Sequence, residues 1–289
     1  MMWDVLVSPF TEFQFMRAAL VSVVFLALSA APVGVFLVIR RMSLMGDALS
    51  HAVLPGAAAG YMLAGLSVPA MSLGGFVAGV VMAVLAGLVS RFTTLKEDAS
   101  FAAFYLSSLA LGVLMVSRGG NNVDLLNLLF GSILGIDTPS LALIACVTSV
   151  TVVALAIMYR PLVLESIDPL FLRAVGGKGS WWHLLFMLLV VLNLVAGFQA
   201  LGTLMSVGLM MLPAISARLW SQRLGLILAC SAFIALLCGY GGLLLSFYIE
   251  IPSGPAIILL CGLVYLLSVF LGKEGGLVAQ WVRGRHKKA

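Results

Sequence analysis

The sequence predicts an all-α protein: a polytopic transmembrane helical bundle of about nine membrane segments, with broken helices and one short cytoplasmic helix. Three observations lead there. Hydrophobic residues make up 62% of the 289 and charged ones only 9%, with a mean hydropathy of +1.17. A soluble domain carries about 25% charged residues. Apolar runs near the roughly 20 residues needed to cross a bilayer recur along the whole length. Finally, 14 of the 16 Lys and Arg fall in alternate connections and the C-terminal tail, leaving only Arg17 and Arg118 on the other side. Membrane topology produces that asymmetry, so the +5 net charge needs no nucleic-acid partner.

The nine segments read as 17–39, 44–66, 70–90, 99–117, 139–159, 181–199, 201–219, 224–247 and 254–271. Residues 1–16 form an external N-terminal segment, 17–272 the transmembrane domain and 273–289 a basic cytoplasmic tail. The start carries Asp4 and Glu12 and no basic head, so it is not read as a signal peptide and the first apolar run stays as a span. The positive-inside rule puts the C-terminus in the cytoplasm and, with an odd count, the N-terminus outside.

In chain order, Pro32 and Gly34 predict a kink in the first segment. The second carries Asp47 and His51. Gly56 to Gly60 and Gly75 to Gly79 are small-xxx-small faces that allow close helix packing. The connection 117–140 holds an apolar part, Leu125 to Ile136, too short to cross and return; it predicts an interfacial or re-entrant helix capped by Asn122 or Asp124. The connection 160–180 opens a helix at Asp168-Pro169, N-cap and first position, and stops it at Gly176-Gly177. Two turns are unstable alone, so this helix needs a surface to pack on, its own chain or a soluble partner. His183, after Trp181-Trp182, reads as part of an interfacial aromatic belt. Met205, Met210 and Met211 read as packing residues, Glu250 as an exposed helix-end charge, and the four cysteines, none in a CxxC, as small apolar fillers.

The chemistry concentrates at Asp47 and His51. Four residues apart on a helix, they share one face. Ionisable groups at membrane depth line a substrate or ion path or pair with each other, and a carboxylate with an imidazole suits a divalent transition metal. Capping of the second helix by Asp47 is the competing role, but it leaves His51 on the same face unexplained. Asp47 also lies only about 9 Å along a helix from Arg41, nearer one membrane surface than the midplane.

No GxxxxGK[ST] phosphate loop exists, since Gly176-Gly-Lys178-Gly-Ser180 lacks the spacing. Any ATP hydrolysis therefore belongs to another chain. HExxH is absent and His51 is the one embedded histidine, which argues against an intramembrane metalloenzyme. An ion-coupled secondary transporter would need more embedded carboxylates than Asp47 supplies.

Met42-Ser-Leu-Met-Gly-Asp-Ala-Leu-Ser-His-Ala-Val-Leu-Pro-Gly56 resembles the signature of the membrane permeases of bacterial ABC importers for zinc, manganese and iron. The resemblance runs over nearly the whole chain. Leu128 to Gly135 is similar to that family's external LFG segment, Asp168 to Gly176 to its cytoplasmic DPxxAxxxG stretch, Leu212 to Arg218 to its PAATA segment and Pro252 to Pro255 to its PxGP turn. Leu172 or Arg173 replaces the usual Ala of the cytoplasmic stretch, and Ile215 and Ser216 depart from PAATA. The resemblance implies a homodimeric, non-enzymatic permease in the bacterial cytoplasmic membrane, with a separate cytoplasmic ATP-binding subunit and an external solute-binding protein. It implies no permanently bound cofactor. It makes Asp47 and His51 ligands of the transported metal, zinc favoured and manganese or iron as alternatives, and makes Asp168, Pro169, Phe171, Leu172, Arg173 and Gly176 the ATPase-coupling surface.

Overall fold

A computed structural model describes residues 2–65, 67–94, 97–118, 135–167, 172, 179–278 and 281. Among these the chain forms helices and no strand: α1 (Met2–Glu12), α2 (Gln14–Ile39), α3 (Ser43–Ala64), α4 (Val68–Phe92), α5 (Glu97–Arg118), α6 (Thr138–Ile167), α7 (Gly179–Leu201), α8 (Thr203–Arg218), α9 (Leu224–Ile249) and α10 (Ser253–Leu271). Each of the nine apolar segments falls on one of α2 to α10. By length and composition, six helices suffice to cross a membrane: α2, α4, α6, α7, α9 and α10. The apolar stretches Ala99–Met115 and Met205–Arg218 are shorter, and α3 is diluted by Asp47, His51 and its small residues. The expected nine crossings therefore correspond to six helices that meet this measure on their own. The outer segment Leu125 to Leu134, the short helix from Asp168 and the tail beyond Trp281 lie outside the described residues.

The bundle is built around α2. Its spanning window is 72% buried, against 28% for α6, α9 and α10, because it is apolar on every side and has helices on every side. One core cluster joins the second half of α2 to α3, α4, α6, α7 and α8, and another joins its first half to α6, α8, α9 and α10. α2 runs unbroken through Pro32 from Gln14 to Ile39. Some buried polar groups bridge helices: Thr148 donates to the Phe25 carbonyl, and Asn193 Nδ2 donates to Thr151 Oγ1, tying α6 to α2 and α7. Successive helices alternate in direction, so the ends of α2, α6, α8 and α10 meet the starts of α3, α7 and α9 at one end of the bundle. Between α7 and α8 the reversal takes a single residue, Gly202, at φ 79°. That conformation favours glycine. At the opposite end α1 leans on α9, with Tyr240 donating to the Leu6 carbonyl and stacking on Phe10.

The α2–α3 corner is a Schellman turn. Arg41 sits in the left-handed region at φ 60°, its N–H donates to Val38 O, and the Met42 N–H donates to Leu37 O. Glycine is the usual occupant, so an arginine here costs about 1 kcal/mol in backbone conformation.

α3 packs on α4 through bare backbone. A Cβ on Gly56 would strike the carbonyl of Gly74, and one on Gly74 would strike that of Gly56. Gly60 meets the Ala70 carbonyl in the same way, whereas Gly75 and Gly79 face the side chains of Val53 and Val191. Gly56→Val therefore forces two backbones apart. Overpacking of this kind costs about 1–3 kcal/mol or more. The expected outcome is a lower melting temperature of the purified protein in detergent, while Gly87→Val, at a position with open space, leaves it unchanged.

Candidate functional site

α3 begins at Ser43, and its cap, Met42, makes no side-chain hydrogen bond. Asp47 thus stands in the second turn and is not the N-cap. One turn later His51 lies on the same face, its Nε2 3.7 Å from Asp47 Oδ1. That separation is too long for a hydrogen bond. It lies just beyond the roughly 3.3–3.6 Å that separates two ligands each 2.0–2.2 Å from one tetrahedral metal ion, so a small closing movement would bring both onto one ion.

The pair faces outward. Asp47 is 59% exposed and His51 24%, and the preceding Leu44 is exposed as well. α5 covers the inner flank of the imidazole: the Tyr105 ring lies 5.8 Å from it, and Ser108 donates to the Ala52 carbonyl beside it. His51 Nδ1 is buried with no hydrogen-bond partner among the described residues. Behind the site, Gly46 lets α8 approach, with the Met210 methyl and Met211 sulfur against it. Met205, Met210 and Met211 are all buried, the packing role their sequence suggests. Among the described residues no group of three or more His, Cys, Asp or Glu is placed to hold a metal. Asp47 and His51 are the only two such groups that meet on this face among the described residues.

Of the expected coupling residues, Asp168, Pro169, Phe171, Arg173 and Gly176 lie outside the described residues. Leu172 is buried. Glu250 is exposed at the end of α9, and all four cysteines are free.

A polar cluster that sequence reasoning missed sits at the same end of the bundle as the start of α3. Arg40 Nη2 donates to Glu165 Oε2 at 2.7 Å and its Nε to Ser166 Oγ at 3.3 Å. Its Nη1 lies 3.4 Å from His183 Nδ1, and its guanidinium carbon 4.6 Å above the Phe186 ring. Beyond the aromatic belt its sequence context suggests, His183 thus joins a part-buried polar cluster around Arg40. The only sequence signal was an acid, Glu165, at the end of an apolar run. Beside the cluster Arg218 Nη1 donates to the Val38 carbonyl, 3.1 Å away, capping the end of α2. A cavity of about 850 Å³ opens here between α2, α6, α8 and α9, with Arg41, Ser166, Arg218 and Glu274 among its walls.

Six helices long and apolar enough to cross a bilayer, among the described residues, define a multi-pass membrane protein. The model of a family described as the ABC 3 transport family matches residues 12–272, and the chain belongs to that family. It is 29% identical over 278 residues to the manganese transport system membrane protein MntC of Halalkalibacterium halodurans, covering 96% of this chain and 94% of that one. It is 31% identical over 263 residues to the manganese import system permease protein ScaB of Streptococcus parasanguinis, covering 91% and 92%. Its structure superposes on that of PsaBC from Streptococcus pneumoniae in complex with Fab with a TM-score of 0.86 at 27% identity, covering 99% of this chain and all of that one.

The Arg218 contact can be tested directly. A hydrogen bond to a charged donor contributes about 1.5–3 kcal/mol. Arg218→Ala should lower the melting temperature of the detergent-solubilised protein, and Arg223→Ala, whose side chain makes no comparable bridge to α2, should not.

Proposed function

We propose that the chain is the permease subunit of an ATP-driven importer of a divalent transition metal, acting as a homodimer with a separate cytoplasmic ATPase and an external metal-binding protein. The observation that carries the reading is the Asp47–His51 pair, close to the spacing one cation needs and turned outward from its own bundle. A carboxylate facing lipid is costly, so a second subunit is the economical neighbour for that face. Two copies would bring two carboxylates and two imidazoles together, the ligand number a four-coordinate ion needs.

Manganese is the favoured cargo. The carboxylate–imidazole set alone leans to zinc, but both relatives described above are named for manganese. An oxygen- and nitrogen-rich set accommodates either. An ion-coupled mechanism finds no support, because among the described residues no second embedded carboxylate accompanies Asp47 on its face. Coupling to the ATPase is assigned to the connection between α6 and α7, with Asp168, Pro169, Phe171, Leu172, Arg173 and Gly176. The 14 Lys and Arg on one side support an external N-terminus and a cytoplasmic C-terminus in the bacterial inner membrane.

Uptake of radioactive manganese by metal-starved cells tests the site. Asp47→Asn and His51→Ala should each reduce initial uptake at least about tenfold, the lower end of what losing even a residue behind a metal ligand does, with unchanged protein in the membrane. Full uptake by both variants would remove the pair from the path, and competition by excess zinc that exceeds competition by excess manganese would return the cargo to zinc. Orientation is read separately: in a cysteine-free background, a cysteine placed at Ser8 should react with an impermeant reagent outside intact cells, and one at Ala289 only after lysis.

A further inference from the structure

We propose that Arg40 is the positioning residue that carries movement of the ATPase-facing connection to the metal site. The proposal rests on the reading that the α6–α7 connection meets the ATPase, and goes beyond it by naming how that contact reaches Asp47 and His51.

Residues 168–178 join α6 to α7. One guanidinium holds both flanks of that join. On the α6 side it donates to Glu165 and Ser166, and on the α7 side it lies against His183 and over Phe186. The Arg40 side chain is only 6% exposed, so this is an internal tie and not a surface ion pair. The planar fork is what allows it: two edges serve carboxylate and hydroxyl while the face stacks on the ring, which a lysine ammonium cannot do. Ser166 is itself anchored, donating to the Leu162 carbonyl, so a displacement of the last turn of α6 must move the guanidinium with it.

The other half of the device is the backbone of Arg40. It is the C-cap of α2, and the next residues form the Schellman turn. The Met45 N–H then donates to Met42 O, so α3 starts with no slack, and Asp47 follows within two turns of the corner. Two closing hydrogen bonds, plus Arg218 on Val38, make the corner a stiff elbow and not a hinge. A force on the α6–α7 ends therefore tilts α3 instead of dissipating in a loop. The same elbow would act in reverse: occupancy of the metal site would bias the position of the α6–α7 ends.

The test uses the complete transporter, purified with its ATPase and reconstituted in vesicles with the binding protein and manganese. Arg40→Lys, Arg40→Gln and Glu165→Gln are compared with wild type for ATPase co-purification, ATP hydrolysis and manganese moved. The expected result is retained co-purification, retained hydrolysis and at least a fivefold fall in manganese moved per ATP for each variant. Arg40→Lys is expected to restore thermal stability without restoring that ratio, an outcome a merely structural role would not produce. An unchanged ratio in any folded Arg40 variant would overturn the proposal. So would loss of ATPase co-purification in Arg40→Lys or Glu165→Gln, because the cluster would then be part of the docking surface. Should Arg40→Gln fail to fold, Arg40→Lys and Glu165→Gln carry the decision. Phe171→Ser is run beside them to read the parent assignment: unchanged co-purification and unchanged hydrolysis in that variant would remove the α6–α7 connection as the ATPase contact, whatever the Arg40 variants do.

Discussion

The corner between α2 and α3 governs the geometry of this protein. α2 is the buried axis of the bundle, and α3 carries the ionisable pair, so the turn joining them sets where that pair stands. Only three residues make the turn, and its carbonyls and amides are satisfied locally by the Schellman bonds. Arg218 adds a charged donor to one of the last α2 carbonyls. An arginine at the left-handed position is an unfavourable choice for the backbone. Its placement on the wall of the cavity at this end is the one local feature that glycine could not supply.

From that corner the site is built by contrast between two sides of α3. Inward, glycines at 56 and 60 let the α4 backbone approach that of α3, and Gly46 leaves room for the Met210 and Met211 side chains of α8, which opposes sliding of α3. Towards α5, Tyr105 and Ser108 hold the imidazole and the adjacent carbonyl. Outward, nothing in the same chain covers Asp47 among the described residues. His51 Nδ1, buried with no hydrogen-bond partner among the described residues, is one polar atom that the packing against α5 leaves unsatisfied.

The buried Arg40–Glu165 pair is better understood through specificity than through stability. Burying two charges recovers little net free energy even when the geometry is good, because desolvation opposes the Coulomb attraction. What such a pair does achieve is a single allowed arrangement of the elements that carry it. Here those elements are the ends of α2, α6 and α7, which three separate apolar surfaces alone would allow to shift along one another.

Much of this was legible in the sequence, and for local reasons. The apolar runs located nine of the helices, because burial in lipid demands continuous apolar stretches whatever the tertiary arrangement. Asp47 and His51 could be placed on one face because i and i+4 is a property of the helix itself. The crossing number was less secure, since among the described residues α3, α5 and α8 are too short in their apolar stretches or too diluted by polar and small residues to qualify as spans by themselves. What only the tertiary structure decided are the meetings of residues far apart in the chain. Arg40 with Glu165 and His183, Arg218 with Val38, and Gly56 with Gly74 depend on how helices pack, and no periodicity in any one of them records the partner. His183 is the clearest instance. Beside two tryptophans its sequence context says interface, and only the packing of α2 against α7 puts a guanidinium there.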